Sequence, residues 1–117
     1  MKPYRKEKLE RIFRDELARC LADMKDPRMG YATISRVVLT KDLKHLKVGI
    51  SVLGGKKEKQ QTMKALKHSQ PFVKMVLRSR LDLRMLPEIH FVLDESFEEA
   101  ARVYKILKRI EGESHAE

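Results

Sequence analysis

The chain is poor in several residue types: 117 residues include one cysteine, no tryptophan, five glycines and four prolines, and aromatics make up 6%. A single thiol at Cys20 closes no internal disulfide, which excludes a small disulfide-stapled scaffold. No run of about 18 uncharged apolar residues occurs, so no membrane-spanning helix is expected. The basic start, Met1-Lys2-Pro3-Tyr4-Arg5-Lys6, is followed by no apolar core of the signal-peptide kind. A cytoplasmic location is the expectation that follows.

Catalytic signatures are absent as well. The chain contains no G-x-x-x-x-G-K-[ST] loop, no G-x-S-x-G elbow and no dinucleotide fingerprint. His45, His68, His90 and His115 stand at no metal-ligand spacing with Cys20 or with one another. Glu98 and Glu99 read as helix-capping acids. The sequence therefore predicts a non-enzyme with neither a metal nor another cofactor.

Positive charge is abundant. The formal net charge is +9, and residues 41–84 alone hold 12 Lys/Arg against 3 Asp/Glu. Residues 85–117 are acidic, with 4 against 8. A basic middle on a soluble domain fits a polyanion, most often nucleic acid, or else a lysine-rich surface kept for solubility. The 42% apolar content is enough for one modest core, so a single domain over residues 1–111 with a flexible tail over 112–117 is expected.

Apolar spacing gives the element order. Leu9, Ile12, Phe13, Leu17, Cys20, Leu21 and Met24 recur at i, i+3, i+4 and predict a helix over residues 5–25, with Cys20 as a buried, unreactive thiol. Pro27 and Gly30 should end it. Tyr31 to Thr40 is rich in β-branched residues and reads as a strand. Leu46, Val48, Ile50 and Val52 alternate with Lys47, Gly49 and Ser51 as a second strand, antiparallel to the first across a short turn. Met63 and Leu66 begin a helical pattern that Ser69-Gln70-Pro71 interrupts and Phe72, Val73, Val76 and Leu77 resume.

Proline disfavours a helical residue before it, so Gln70 is expected extended, with Ser69 or Gln70 near an N-cap that aims N–H groups outward. Glu88 to Leu93 is a third strand. Ser96-Phe97-Glu98-Glu99 has capping-box spacing. The last helix runs to about Glu111 and carries Phe97, Ala100, Ala101, Tyr104, Leu107 and Ile110 as a core stripe, so Tyr104 reads as packing and not as a base-stacking residue. Helices on one side of a small sheet make a two-layer α+β domain.

A helix N-terminus beside cations suits phosphate. The candidate nucleic-acid-binding residues are Ser69 and Gln70 at the break, Lys74, Arg78, Arg80 and Arg84 on or after the second half-helix, and Lys41, Lys44, Lys56 and Lys57 in the loops around the second strand. Lys25 and Arg28 flank the turn after helix one and serve either RNA contact or the turn itself.

Several phrases in this order resemble the bacterial ribosome-binding factor A family. They are Lys25-Asp26-Pro27-Arg28-Met29-Gly30, Lys41-Asp42-Leu43, Ser51-Val52-Leu53-Gly54, the run Leu83 to Phe91, and Asp94-Glu95-Ser96. The resemblance spans Arg5 to Ile110. It implies a type II KH-like fold, helix-strand-strand-kinked helix-strand-helix over a three-stranded sheet, in which a helix–kink–helix replaces the GXXG loop. That kink carries an Ala-x-Gly pattern in the family, whereas Ser69-Gln70-Pro71 stands here; proline supplies a kink but no positive φ.

The resemblance further implies a non-catalytic factor that binds the immature small ribosomal subunit and assists late rRNA maturation near the 5′ end. It implies ribosomal-protein neighbours, release aided by an assembly GTPase, and a monomer when free. A generic KH-like single-strand RNA binder and a protein-interaction adaptor using the acidic C-terminal helix are the competing readings.

Overall fold

The computed structural model describes residues 3–24, 31–83 and 85–115, with side chains for 5–24, 32–83 and 85–112. The elements are α1 (Pro3–Asp23), β1 (Tyr31–Leu39), β2 (His45–Leu53), α2 (Lys56–His68), α3 (Gln70–Arg80), β3 (Glu88–Leu93) and α4 (Ser96–His115). The sheet has the order β1-β2-β3, with β1–β2 antiparallel as expected and β2–β3 parallel. A parallel neighbour needs a crossover, which α2 and α3 supply.

The central strand carries the core. Leu46, Val48, Ile50 and Val52 point to the helical side and are fully buried. Phe13, Leu17 and Cys20 of α1, Ala65 and Leu66 of α2, Val73 and Leu77 of α3, and Ile89 of β3 close over them. Burial raises the pKa of Cys20, chiefly by desolvating the thiolate, with Asp23 adding to the effect, which suits an unreactive thiol.

β1 shows what strict alternation misses. Ala32 and Ile34 face the core, and so do Val37 and Leu39, an even pair followed by an odd pair. A register shift between Ile34 and Arg36 inserts one residue and resets the alternation, keeping Arg36 in solvent. The N–H of Leu39 on this edge strand donates to Glu10 Oε2 of α1 at 2.7 Å.

The inserted Ser35 is used. Its hydroxyl donates to Asp94 Oδ2 at 2.6 Å, across Gly49 on the sheet's open face. A Cβ at Gly49 would lie 2.6 Å from Ser35 Oγ and 3.5 Å from Asp94 Oδ2. Asp94 Oδ1 accepts the Ser96 N–H at 2.9 Å, so Asp94 caps α4 and the expected Ser96–Glu99 capping box does not form. Glu98 reaches Lys59 Nζ at 2.6 Å instead. The Ser35 hydroxyl first, then Ser96, hold the Asp94 carboxyl down to about 2. Because the folded value is depressed, this contribution to stability is present above the ordinary aspartate range and is lost as pH falls towards 2. Ser35→Ala and Gly49→Ala are each expected to return the Asp94 pKa towards its ordinary value and flatten the acid limb of the stability curve. Carboxyl carbon NMR titration measures the first effect and acid unfolding the second.

Two helical expectations change. Only Ser69 separates α2 from α3, and Gln70 is itself helical, not extended. The bias set by Pro71 is outweighed because Ala65, Leu66, Val73 and Leu77 form one buried stripe that keeps both halves on the same core face. The Ser69 N–H bonds the Ala65 and Leu66 carbonyls, and Val73 N–H bonds the Ser69 carbonyl. Ser69 is the N-cap of α3 and Pro71 lies in its first turn, as expected.

The second change is α4, which continues to His115, past the expected end at Glu111. Its apolar residues are not core: Phe97 is 79% exposed and Tyr104 61%, and Leu107 and Ile110 are also open. The sheet's helical side is already covered by α1, α2 and α3, so no apolar face is left for α4 to pack on. Lys59 holds its first turn through Glu95 and Glu98. A chain ending after Glu95 is therefore expected to keep a single cooperative unfolding transition, with Tm within about 4 °C of the full chain by scanning calorimetry.

Candidate nucleic-acid interface

The turn between β1 and β2 is built to hold Lys44. Thr40 Oγ1 donates to Asp42 Oδ1 at 2.6 Å, and the same carboxylate oxygen accepts the Lys44 N–H at 3.1 Å. The Thr40 hydroxyl bond and then the Lys44 N–H lower the Asp42 pKa, keeping it ionised. Leu43 takes a positive φ of 62°, a strained conformation for a branched side chain, while its side chain packs against the core. The Lys44 carbonyl then accepts the Glu88 N–H at 2.8 Å, which fixes the start of β3 beside it.

On α3, burial of Val73 and Leu77 in the core directs the neighbouring Lys74 and Arg78 towards the same end of the molecule. The two are spaced i, i+4 and share a face. Lys44, Lys74 and Arg78 converge on one open depression of about 350 Å³, with His45, Glu88, Leu86 and Pro87 also lining it. Three cations face one carboxylate there. This arrangement can hold phosphate groups by charge and by side-chain N–H donation; it offers no nucleophile activated by a neighbouring base.

The other candidates separate into distinct places. Lys56 and Lys57 begin α2, beyond the far end of β2, about 30 Å of strand from Lys44. The cations around the second strand thus do not form one surface. Lys41 is exposed in the turn. Arg80 Nε lies 3.8 Å from Glu16 Oε2 and ties α3 to α1. Ser69 Oγ donates to the Ala65 carbonyl, and Gln70 Nε2 to the Ile89 carbonyl on the open edge of β3. These two side chains fix the kink and blunt a sheet edge. Lys25, Arg28 and Arg84 lie outside the described residues.

Sequence reading missed one grouping. His45, Glu88 and His90 meet on the open face of the sheet. The Glu88-x-His90 spacing on one strand face was a signal, but bringing in His45 requires the parallel β2–β3 register. Glu88 and His90 also line a depression of about 470 Å³ that follows the β3 edge with Lys67 and Gln70.

Comparison with known proteins decides what this frame is. The family model for ribosome-binding factor A matches residues 5–107. This chain belongs to the ribosome-binding factor A family. A ribosome-binding factor A from Thermomicrobium roseum is 35% identical over 97% of this chain and 88% of its own length. The solution structure of a Thermotoga maritima protein assigned to ribosome binding factor A has 35% identity and a TM-score of 0.70, covering 79% of this chain and 90% of that one. A homology model of the Thermus thermophilus ribosome binding factor A, as fitted into a cryo-EM map of its complex with 30S, has 25% identity and a TM-score of 0.65, covering 75% of this chain and 93% of that one. The three-stranded mixed sheet with its broken helix is thus the fold of ribosome-binding factor A. No helix among the described residues is long and apolar enough to cross a membrane.

Proposed function

We propose that this protein is a non-catalytic assembly factor of the cytoplasm that binds the immature small ribosomal subunit and assists late maturation of its rRNA near the 5′ end. One observation carries the reading: in a chain of this family, Lys44, Lys74 and Arg78 from two separate elements meet around one depression. A folded RNA presents its phosphates as a shaped surface, and fixed cations recognise that surface without reading base edges. Bound there, the domain holds a local rRNA conformation and leaves when assembly is complete; no bond is made or broken by the protein. Lys44, Lys74 and Arg78 carry the phosphate contacts, with Lys41 beside them and Lys56 and Lys57 as a second patch. Arg80, Ser69 and Gln70 support them structurally.

The second reading, a protein adaptor, is favoured by the exposed apolar residues of α4, among them Tyr104, Leu107 and Ile110. Salt separates the two. Co-sedimentation with small subunits, large subunits and short single-stranded RNA across a salt series is expected to show selective small-subunit binding that weakens steeply as salt rises. Equal binding to either subunit and to free RNA would indicate a generic RNA module, and binding indifferent to salt would indicate docking through α4.

A further inference from the structure

The histidine pair on the sheet's open face lies outside the core, and both residues are exposed. The parallel register sets His45 opposite Glu88 and Lys47 opposite His90, so the three ligand-bearing side chains rise from one face of two hydrogen-bonded strands. His45 Nδ1 lies 3.0 Å from His90 Nε2 and 3.8 Å from Glu88 Oε2, and the three ligand atoms fall within 4.8 Å of one another.

These separations fit a metal ion. With zinc–nitrogen and zinc–oxygen bonds near 2.0–2.1 Å, adjacent ligands of a tetrahedral site stand about 3.3 Å apart, and 3.0 and 3.8 Å bracket that value. The two imidazole nitrogens stand at hydrogen-bond distance from each other. An ion bound to both nitrogens sits off the line between them, so the rings turn towards it while the nitrogens themselves move by only a few tenths of an ångström. The rings are tilted by 33° with centroids 5.2 Å apart, so they are not stacked flat against each other. Strand positions hold such ligands more firmly than loops do.

We infer that His45, Glu88 and His90 bind one divalent transition-metal ion of the zinc class, with its fourth position open to solvent. Two imidazoles and one carboxylate suit zinc or copper and do not suit magnesium or calcium, which take oxygen ligands. Lys44 and Lys47 border the cluster and oppose the ion's charge, while the Glu88 carboxylate offsets them. His45 and Glu88 also line the depression that holds Lys44, Lys74 and Arg78. A bound ion therefore adds positive charge to that surface and offers an open coordination position to an anionic oxygen. Metal binding itself rests on the three side chains alone and stands or falls independently of the ribosomal reading.

The test follows histidine side-chain nitrogen resonances of the full chain as zinc chloride is added, with magnesium chloride in parallel. One equivalent of zinc is expected to shift His45 and His90 while His68 and His115 stay in place, and magnesium is expected to shift none. His90→Ala, at an exposed position, should abolish the His45 shift with the circular dichroism unchanged. Glu88→Gln should weaken binding by more than roughly tenfold, the scale of losing even an outer partner of a metal ligand. Unmoved His45 and His90 at one equivalent, four histidines moving together, or a His90→Ala chain that binds zinc as tightly as the parent would each overturn the assignment.

Discussion

Changing Lys44, Lys74 and Arg78 together to alanine is expected to lower affinity for small ribosomal subunits by roughly 10²-fold or more near 0.1 M salt. It should also reduce the slope of log affinity against log salt by about 2 to 3. Each cation that neutralises a phosphate releases counterions, and a contact is worth close to one unit of that slope. Among the described residues none of the three is held in an ion pair. Lys44 and Arg78 are exposed and Lys74 is half-buried, so the variant should fold as the parent does. Lys56→Ala with Lys57→Ala is the matched control, because these cations lie at the other end of β2. A smaller loss there, with the steeper slope retained, would place the main contact at the depression. Equal losses at the two ends would mean that net charge alone drives binding and that the convergence of β2 and α3 is irrelevant. Fluorescence anisotropy of labelled protein with purified subunits gives both the affinity and the slope.

Leu77→Ala should have the largest effect on stability. Leu77 is fully buried on α3, at 0% exposure, and lies in the core one residue before Arg78. Truncating such a side chain removes its transfer energy and leaves a cavity, at a cost of about 2–5 kcal/mol. Against a total stability of roughly 5–15 kcal/mol this is a large fraction. For 117 residues a loss near the middle of that range lowers Tm by roughly 10–15 °C. Met75→Ala, on the same helix but 59% exposed, should change stability by no more than about 0.5 kcal/mol. Urea unfolding of both variants measures the contrast. Similar costs for the two would mean that α3 packs in a different rotation, and Lys74 and Arg78 would then point elsewhere.

That rotation was largely legible in the sequence. Val73 and Leu77 fall on one face at helical spacing, and Lys74 and Arg78 must follow beside them. The central strand was equally legible, since Leu46, Val48, Ile50 and Val52 alternate without interruption. The bulge at Ser35 was not, because β-branched Val37 and Val38 satisfy either alternation; only the Ser35–Asp94 hydrogen bond across Gly49 selects the inserted residue. At the kink, a local rule for residues before proline was overruled by a stripe of buried side chains running through both half-helices. On α4 the periodicity was read correctly as a helix and wrongly as core. An apolar stripe reports that a helix is amphipathic, and says nothing about whether a face remains for it to cover.

The sequence by itself determined the element types, the buried face of β2, the basic middle of the chain and the family resemblance, because each depends on spacing or phrases along one stretch. Tertiary structure alone decided which distant residues meet. The crossover through α2 and α3 lays β3 parallel to β2, and that register joins His45 to Glu88 and His90, residues more than forty positions apart. The same packing brings Lys44 to Lys74 and Arg78 and sends Lys56 and Lys57 to the opposite end. Charge along a chain is additive, but a binding surface depends on distance, and distance is set only when the strands pair.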